Sequence, residues 1–210
     1  HGSRLAAMTE IEVFADVGCP FAHMGLSMLV DEREQRNRSD VTLRVRAWPL
    51  EIVNGSGFDA DVVAGKAEAL RSQLETGCFH DFDGSGYASS FIPAMELTAV
   101  AYEADPATGE AVALAVRDLT FEQGVDVADP AVLDDLANRH HLDAPDPADR
   151  TRVEADLAEG RERGVIGSPH FFVAGVDAFC PALDIHSGDA GLQVSVARDG
   201  LESLLQTAFG

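Results

Sequence analysis

A run of β-favouring residues, Ile11 to Val17, passes without a loop into Gly18-Cys19-Pro20, and this junction constrains the chain more than any other feature. The run Ile-Glu-Val-Phe-Ala-Asp-Val reads as a buried strand. Pro20 stands where a helix can begin, because the first helical residues have no intrahelical N–H bond to lose. The segment from Pro20 to Arg36 is expected to be that helix, with Met24, Leu26, Met28, Leu29 and Val30 as apolar positions. Val41 to Trp48 then alternates, placing Val41, Leu43, Val45 and Ala47 on one face of a second strand. Strand, helix and strand in this order predict a βαβ unit with parallel strands.

Residues 49–57 read as a loop, and from Phe58 to about Leu142 the periodicity is helical. Asp59 is the expected cap of a helix through about Glu75, and Cys78 to Ser90 is a loop rich in Gly, Asp and Ser. Helices are expected over 91–104, 110–123 and 130–140, the last with Asp129 as cap and Pro130 in its first turn. A Pro-Asp linker leads to a charged helix over 148–163, which Gly164 stops. His170 to Ala174 is a short strand, Gly175 and Val176 turn it, and 177–180 returns. A loop over 181–191 precedes a terminal helix near 198–208. The expected fold class is α/β, in the order β-α-β, a helical block, then α-β-β-α. Residues 8–57 and 146–210 form one domain in this reading, with 58–145 inserted as a helical domain. Residues 1–7 read as the remnant of an expression tag, with Met8 as the start.

Charge narrows the partners. With 36 Asp and Glu against 15 Lys and Arg, the net charge is -21. Such a surface repels phosphate backbones and anionic bilayers, so neither nucleic acid nor a membrane is an expected partner. No stretch approaches 18 apolar residues, and no basic start followed by an apolar run succeeds Met8. The expected location is therefore the cytoplasm. There the three cysteines, Cys19, Cys78 and Cys180, are expected to be free thiols. Arginine far outnumbers lysine, of which Lys66 is the one instance, and Ala, Asp and Gly abound, as in proteins of GC-rich bacteria or archaea.

Cys19 is the candidate reactive group. The first turn of a helix carries unpaired N–H groups and about half a positive charge. A cysteine so placed can have its pKa lowered from about 8.5 to roughly 3.5–7.5, which makes a nucleophilic thiolate at neutral pH. The plain alternative is a buried, inert thiol. His23 stands one turn on, beside the thiolate or at the surface. No His, Cys and Asp residues have zinc-ligand spacing, so no metal is expected. Phe21 and Trp48 are groove or core residues, with core the default for Trp48.

The motif Gly18-Cys19-Pro20-Phe21-Ala22-His23 resembles the Cys-Pro-aromatic-Cys-His or Cys-Pro-aromatic-Cys-Tyr site of DsbA-type oxidoreductases. Gly164-Val165-Ile166-Gly167-Ser168-Pro169-His170-Phe171 resembles their cis-proline loop. The stretch from Ser90-Phe91-Ile92-Pro93-Ala94 to Asp126-Val127-Ala128-Asp129-Pro130 resembles the helical insertion of the cytoplasmic FrnE-like branch. The resemblance spans nearly the whole chain after Met8. It implies a thioredoxin fold with a helical insertion between its βαβ and ββα halves. It also implies a thiol–disulfide oxidoreductase in which Cys19 is catalytic, Pro20, Phe21, Ala22 and His23 complete the motif, and Ser168, cis Pro169 and His170 form the substrate loop.

One position departs from the pattern: Ala22 stands where the family has its second cysteine. Three readings stay open. The protein is a natural monothiol that exchanges with a small thiol such as glutathione or mycothiol; another cysteine resolves the intermediate, Cys180 ahead of Cys78; or Ala22 is an engineered substitution that traps the mixed disulfide. No tightly bound cofactor is expected, and glutathione or another small thiol is the candidate co-substrate. The fold also resembles kappa-class glutathione transferases and 2-hydroxychromene-2-carboxylate isomerases, which place a serine where Cys19 stands. A thiol-dependent isomerase or transferase is therefore the alternative function, and a non-catalytic binding module the third. The expected partner is a thiol or disulfide substrate, small molecule or peptide. A homodimer is compatible with the fold group, and no residue pattern specifies its interface.

Overall fold

Strand β1 (Thr9–Ala15) lies inside the sheet that organises the chain. The structure, a computed structural model, describes residues 8–189 and 191–210, so the expected tag remnant at 1–7 lies outside the described residues. β1 pairs in parallel with β2 (Val41–Ala47), with Ile11 opposite Leu43 and Val13 opposite Val45. On its other side it pairs antiparallel with β3 (His170–Val173), which pairs antiparallel with β4 (Val176–Phe179). The strand order is β2-β1-β3-β4. Helix α1 (Pro20–Gln35) joins the two parallel strands.

Six helices follow β2 before the chain re-enters the sheet: α2 (Leu50–Val53), α3 (Ala60–Leu74), α4 (Ile92–Ala104), α5 (Pro106–Phe121), α6 (Pro130–Arg139) and α7 (Thr151–Glu162). Helix α8 (Arg198–Phe209) closes the chain. This is the mixed α/β order of a thioredoxin fold. Aspartates begin three of the helices. Asp59 accepts the Val62 N–H, Asp105 those of Ala107 and Thr108, and Asp129 that of Ala131. The Asp105-Pro106 pair starts α5 a full turn before the expected position at 110, because cap and first-turn proline act together there. At the start of α7, Asp149 accepts the Thr151 N–H at 2.9 Å, and Glu96, buried in α4, accepts the Val153 N–H at 2.8 Å.

The pleat of β1 divides the core. Ile11, Val13 and Ala15 share one apolar cluster with Leu26 and Leu29 of α1, Leu205 of α8, Leu70 of α3 and Phe121 of α5. Phe14 packs instead with Trp48, Leu157 and Val165, which makes Trp48 a core residue. A third cluster joins Val17 and Ala47 at the strand ends to Leu97, Val116 and Val153. The helices between β2 and β3 thus share their apolar faces with the sheet.

Two expected loops are ordered. Residues 50–53 form the single turn α2, and β5 (Leu183–Gly188) pairs antiparallel with β6 (Gly191–Val196) as a hairpin. The hairpin hides from pattern reading because, among the described residues of its two strands, only Leu183 and Val194 are buried, so alternation is nearly absent. Its anchor is distant in sequence: the Gln73 side chain donates to the Leu192 carbonyl at 2.9 Å and accepts the Val194 N–H at 2.8 Å. Among the described residues, no helix is long and apolar enough to cross a membrane.

Candidate active site

Between β1 and α1 the chain turns through Asp16, Val17, Gly18 and Cys19, and the Asp16 side chain fixes that turn. Asp16 is fully buried. One carboxylate oxygen accepts the Gly18 N–H at 2.8 Å, and the other accepts the Leu50 N–H at 2.6 Å. A single carboxyl therefore pins both the exit of β1 and the start of α2. Burial pushes its pKa up to about 7, against the two backbone donors and the positive charge of Arg117. Arg117 is itself buried, and loss of water pulls its guanidinium down to about 10. Gly18 is required where it stands: a Cβ there would lie 2.3 Å from the Phe91 ring and 2.5 Å from the Tyr87 hydroxyl. That hydroxyl donates to the Gly18 carbonyl at 2.6 Å.

Cys19 is the N-cap residue of α1, with Pro20 at the first helical position. Its carbonyl accepts the N–H groups of Ala22 and His23, each at 3.1 Å. The residue is 4% exposed, and its thiol donates to the Ser168 carbonyl at 3.3 Å. Burial pushes the Cys19 thiol above its ordinary pKa, and the charge of Asp16 adds to the rise. The Ser168 hydroxyl and the N–H groups of Ala22 and Phe21 act the other way without prevailing. The expected lowering of this pKa is therefore not found at rest. The helix end is in place, but the sulfur is out of water, and an anion loses more by desolvation there than the N–H groups return.

The Ser168–Pro169 peptide bond is cis. The Ser168 hydroxyl accepts the Asp16 N–H at 2.9 Å, which docks this loop on the end of β1. The Cys180 N–H donates to the Pro169 carbonyl at 2.9 Å, so Cys180 begins the turn after β4 on the same loop. Burial pushes its thiol up to about 12. His170 is buried with both ring nitrogens occupied: Nδ1 accepts the Ile166 N–H at 3.2 Å, and Nε2 meets Asp177 Oδ2 at 3.0 Å. The Nδ1 acceptor role fixes the proton on Nε2. His170 braces the loop from within.

The remaining motif residues lie along α1. Phe21 is half-buried, with the Lys66 ammonium 5.8 Å from its ring centroid. Ala22 is fully buried. His23 is buried and turned onto other groups: its Nε2 lies 2.5 Å from Glu122 Oε1, and its ring stacks on Phe121 at 5.2 Å. Cys78 sits in the same place, its sulfur 3.6 Å from the Ser27 hydroxyl. One donor atom from each of His23, Cys78 and Glu122 lies within 4.8 Å of the others. Burial lowers the His23 pKa, yet Cys78 and Glu122 together hold it above its ordinary value. Burial raises Cys78, and contacts with His23, Thr76 and Ser27 bring it below. Glu122 is a site residue that the sequence alone does not reveal. It lies 99 residues from His23, and no local pattern links them.

Residues 10–190 match the DSBA-like thioredoxin domain. A probable DsbA oxidoreductase from Streptomyces coelicolor is similar over 95% of this chain and 89% of its own, at 17% identity and a TM-score of 0.64. The cytosolic disulfide reductase DsbM from Pseudomonas aeruginosa is similar over 94% and 97%, at 17% identity and a TM-score of 0.57. A 2-hydroxychromene-2-carboxylate isomerase is similar over 81% and 88%, at 13% identity and a TM-score of 0.59. A comparison with functionally curated proteins gives no match. At these identities the structural likenesses establish the fold. The domain match, which runs from β1 to the β5–β6 hairpin, establishes the family: the chain belongs to the DSBA-like thioredoxin domain family.

Proposed function

We propose that the protein is a thiol–disulfide oxidoreductase that works through the single sulfur of Cys19. The observation that carries this reading is the seat of that sulfur, at the N-cap of α1 and against the Ser168 carbonyl beside cis Pro169. Disulfide oxidoreductases among the structural neighbours support it.

The chemistry is two exchanges. The Cys19 thiolate attacks one sulfur of a substrate disulfide, forms a mixed disulfide and releases the other sulfur as a thiolate. A second thiolate then attacks the substrate sulfur, forms a new disulfide with it and returns Cys19 as thiolate. No net oxidant is consumed. Ala22 removes the usual source of the second thiolate from the helix. Cys180 is buried and carries a raised pKa, Cys78 is engaged with His23, Glu122 and Ser27, and all three cysteines are free. A small external thiol therefore performs the second step. Glutathione is the candidate, since the neighbour DsbM has a structure with GSH. Ser168 and Pro169 line the substrate side of the sulfur, and His170 holds their loop. The resting thiol is protonated, so the exchange accelerates as pH rises through the thiol range.

Glutathione-coupled reduction of a small model disulfide tests this. Wild type and Cys180→Ser turn over, and Cys19→Ser stays at background. Turnover retained by Cys19→Ser would overturn the proposal. Ala22 also favours a second reading, a thiol-dependent isomerase or transferase, which needs no resolving cysteine. That reading gains if Cys19→Ser still binds reduced glutathione.

A further inference from the structure

We infer that His23, Cys78 and Glu122 form a binding site for a single divalent ion of the zinc type. Their donor atoms already lie within 4.8 Å of one another. A tetrahedral ion with bonds of about 2.0–2.3 Å sets its ligand atoms about 3.3–3.8 Å apart, so His23 Nε2 and Glu122 Oε1, hydrogen-bonded at 2.5 Å, part to admit the ion while the sulfur closes in. An imidazole, a thiol and a carboxylate form a mixed N, S and O donor set that suits zinc and disfavours magnesium or calcium. Thiolate and carboxylate together balance the charge of a divalent ion.

The surroundings are those of a supported site. Glu122 Oε2 accepts the Phe79 N–H at 2.8 Å, which leaves Oε1 turned toward His23. The Cys78 N–H is held by the Thr76 hydroxyl at 3.2 Å, and its sulfur faces the Ser27 hydroxyl. Phe121 stacks on the His23 ring and Phe79 meets it edge-on, each at 5.2 Å, so the imidazole is fixed in orientation. Cys78 and Glu122 are only half-buried, which leaves a solvent side for a water as fourth ligand.

The three ligands come from α1, from the loop after α3 and from the residue that ends α5. The ion would tie these segments together one turn along the helix that Cys19 begins. It would also hold Cys78 as a metal thiolate and so keep it out of disulfide exchange. The site does not depend on Cys19 chemistry.

The test is cobalt titration of the reduced protein, followed by zinc competition against a chromophoric chelator. Wild type is expected to bind one cobalt per chain, with a thiolate-to-cobalt absorption band that zinc abolishes. Cys78→Ser loses that band and binds zinc at least about tenfold more weakly. Glu122→Gln keeps the band and weakens zinc at least about tenfold. Cys19→Ser and Cys180→Ser bind as wild type does. If circular dichroism shows Cys78→Ser unfolded, Glu122→Gln, which keeps an acceptor for the Phe79 N–H, decides. No saturable band in wild type, a band that survives in folded Cys78→Ser, unchanged zinc binding in Glu122→Gln, or a band lost in Cys19→Ser would each overturn the assignment.

Discussion

The carbonyl of Ser168 accepts the Cys19 thiol at 3.3 Å, while the hydroxyl of the same serine accepts the Asp16 N–H at 2.9 Å. One residue of the cis-proline loop thus holds both the sulfur and the turn that presents it. Ser168→Ala keeps the carbonyl and removes the hydroxyl, leaving a buried N–H without its partner. It is expected to cost about 1–3 kcal/mol in denaturant unfolding. It also removes a group that lowers the Cys19 pKa, so pH-dependent alkylation of Cys19 should shift to higher pH.

The aromatic wall over the turn leaves no room at Gly18. Gly18→Ala drives a methyl into Phe91 and Tyr87 and is expected to destabilise by about 1–3 kcal/mol. Tyr87→Phe removes only the hydrogen bond to the Gly18 carbonyl, and should cost about 1 kcal/mol. Denaturant midpoints of the two variants check the order.

Asp16 makes stability depend on pH. Its pKa is about 7 in the fold and 3.8 when unperturbed. Between these values the folded chain keeps a proton that the unfolded chain has released, so this group's contribution to stability falls as pH rises from about 4 to about 7. Asp16→Asn removes that contribution. Across this window the stability of wild type, relative to the variant, should decline with rising pH. Parallel unfolding curves would contradict the burial of an ionisable carboxyl at this position.

Much of this site can be traced to local sequence signals, and the rest cannot. The strand-to-helix passage at Gly18-Cys19-Pro20 is legible because proline, cap position and β-run act over a few residues. The caps Asp59 and Asp129 are legible for the same reason. The raised Cys19 pKa was not, since its cause is burial completed by Ser168, 149 residues away. Nor was the turn of His23 away from Cys19, because Glu122 and Cys78 reach it from separate segments. The β5–β6 hairpin escaped because Gln73 of α3, rather than alternation of its own residues, secures it.

Restoring a second thiol tests the meaning of Ala22. Residues three apart in a first helical turn lie close enough for the Cys-X-X-Cys geometry. Ala22→Cys should form a disulfide with Cys19 under mild oxidation, read as the loss of two titratable thiols per chain. It should then turn over without accumulating a mixed disulfide. Wild type should lose no thiol pair under the same conditions. A variant that keeps both thiols would show that the buried site cannot close.

The central claim, that Cys19 is the exchanging sulfur, is tested most directly by incubating the reduced protein with oxidised glutathione and mapping adducts by mass spectrometry. The predicted result is one glutathionyl group per chain on the peptide holding Cys19, formed faster as pH rises and released by added thiol. A chain modified at Cys78 or Cys180 with Cys19 untouched, or unmodified at every pH the fold survives, would contradict it.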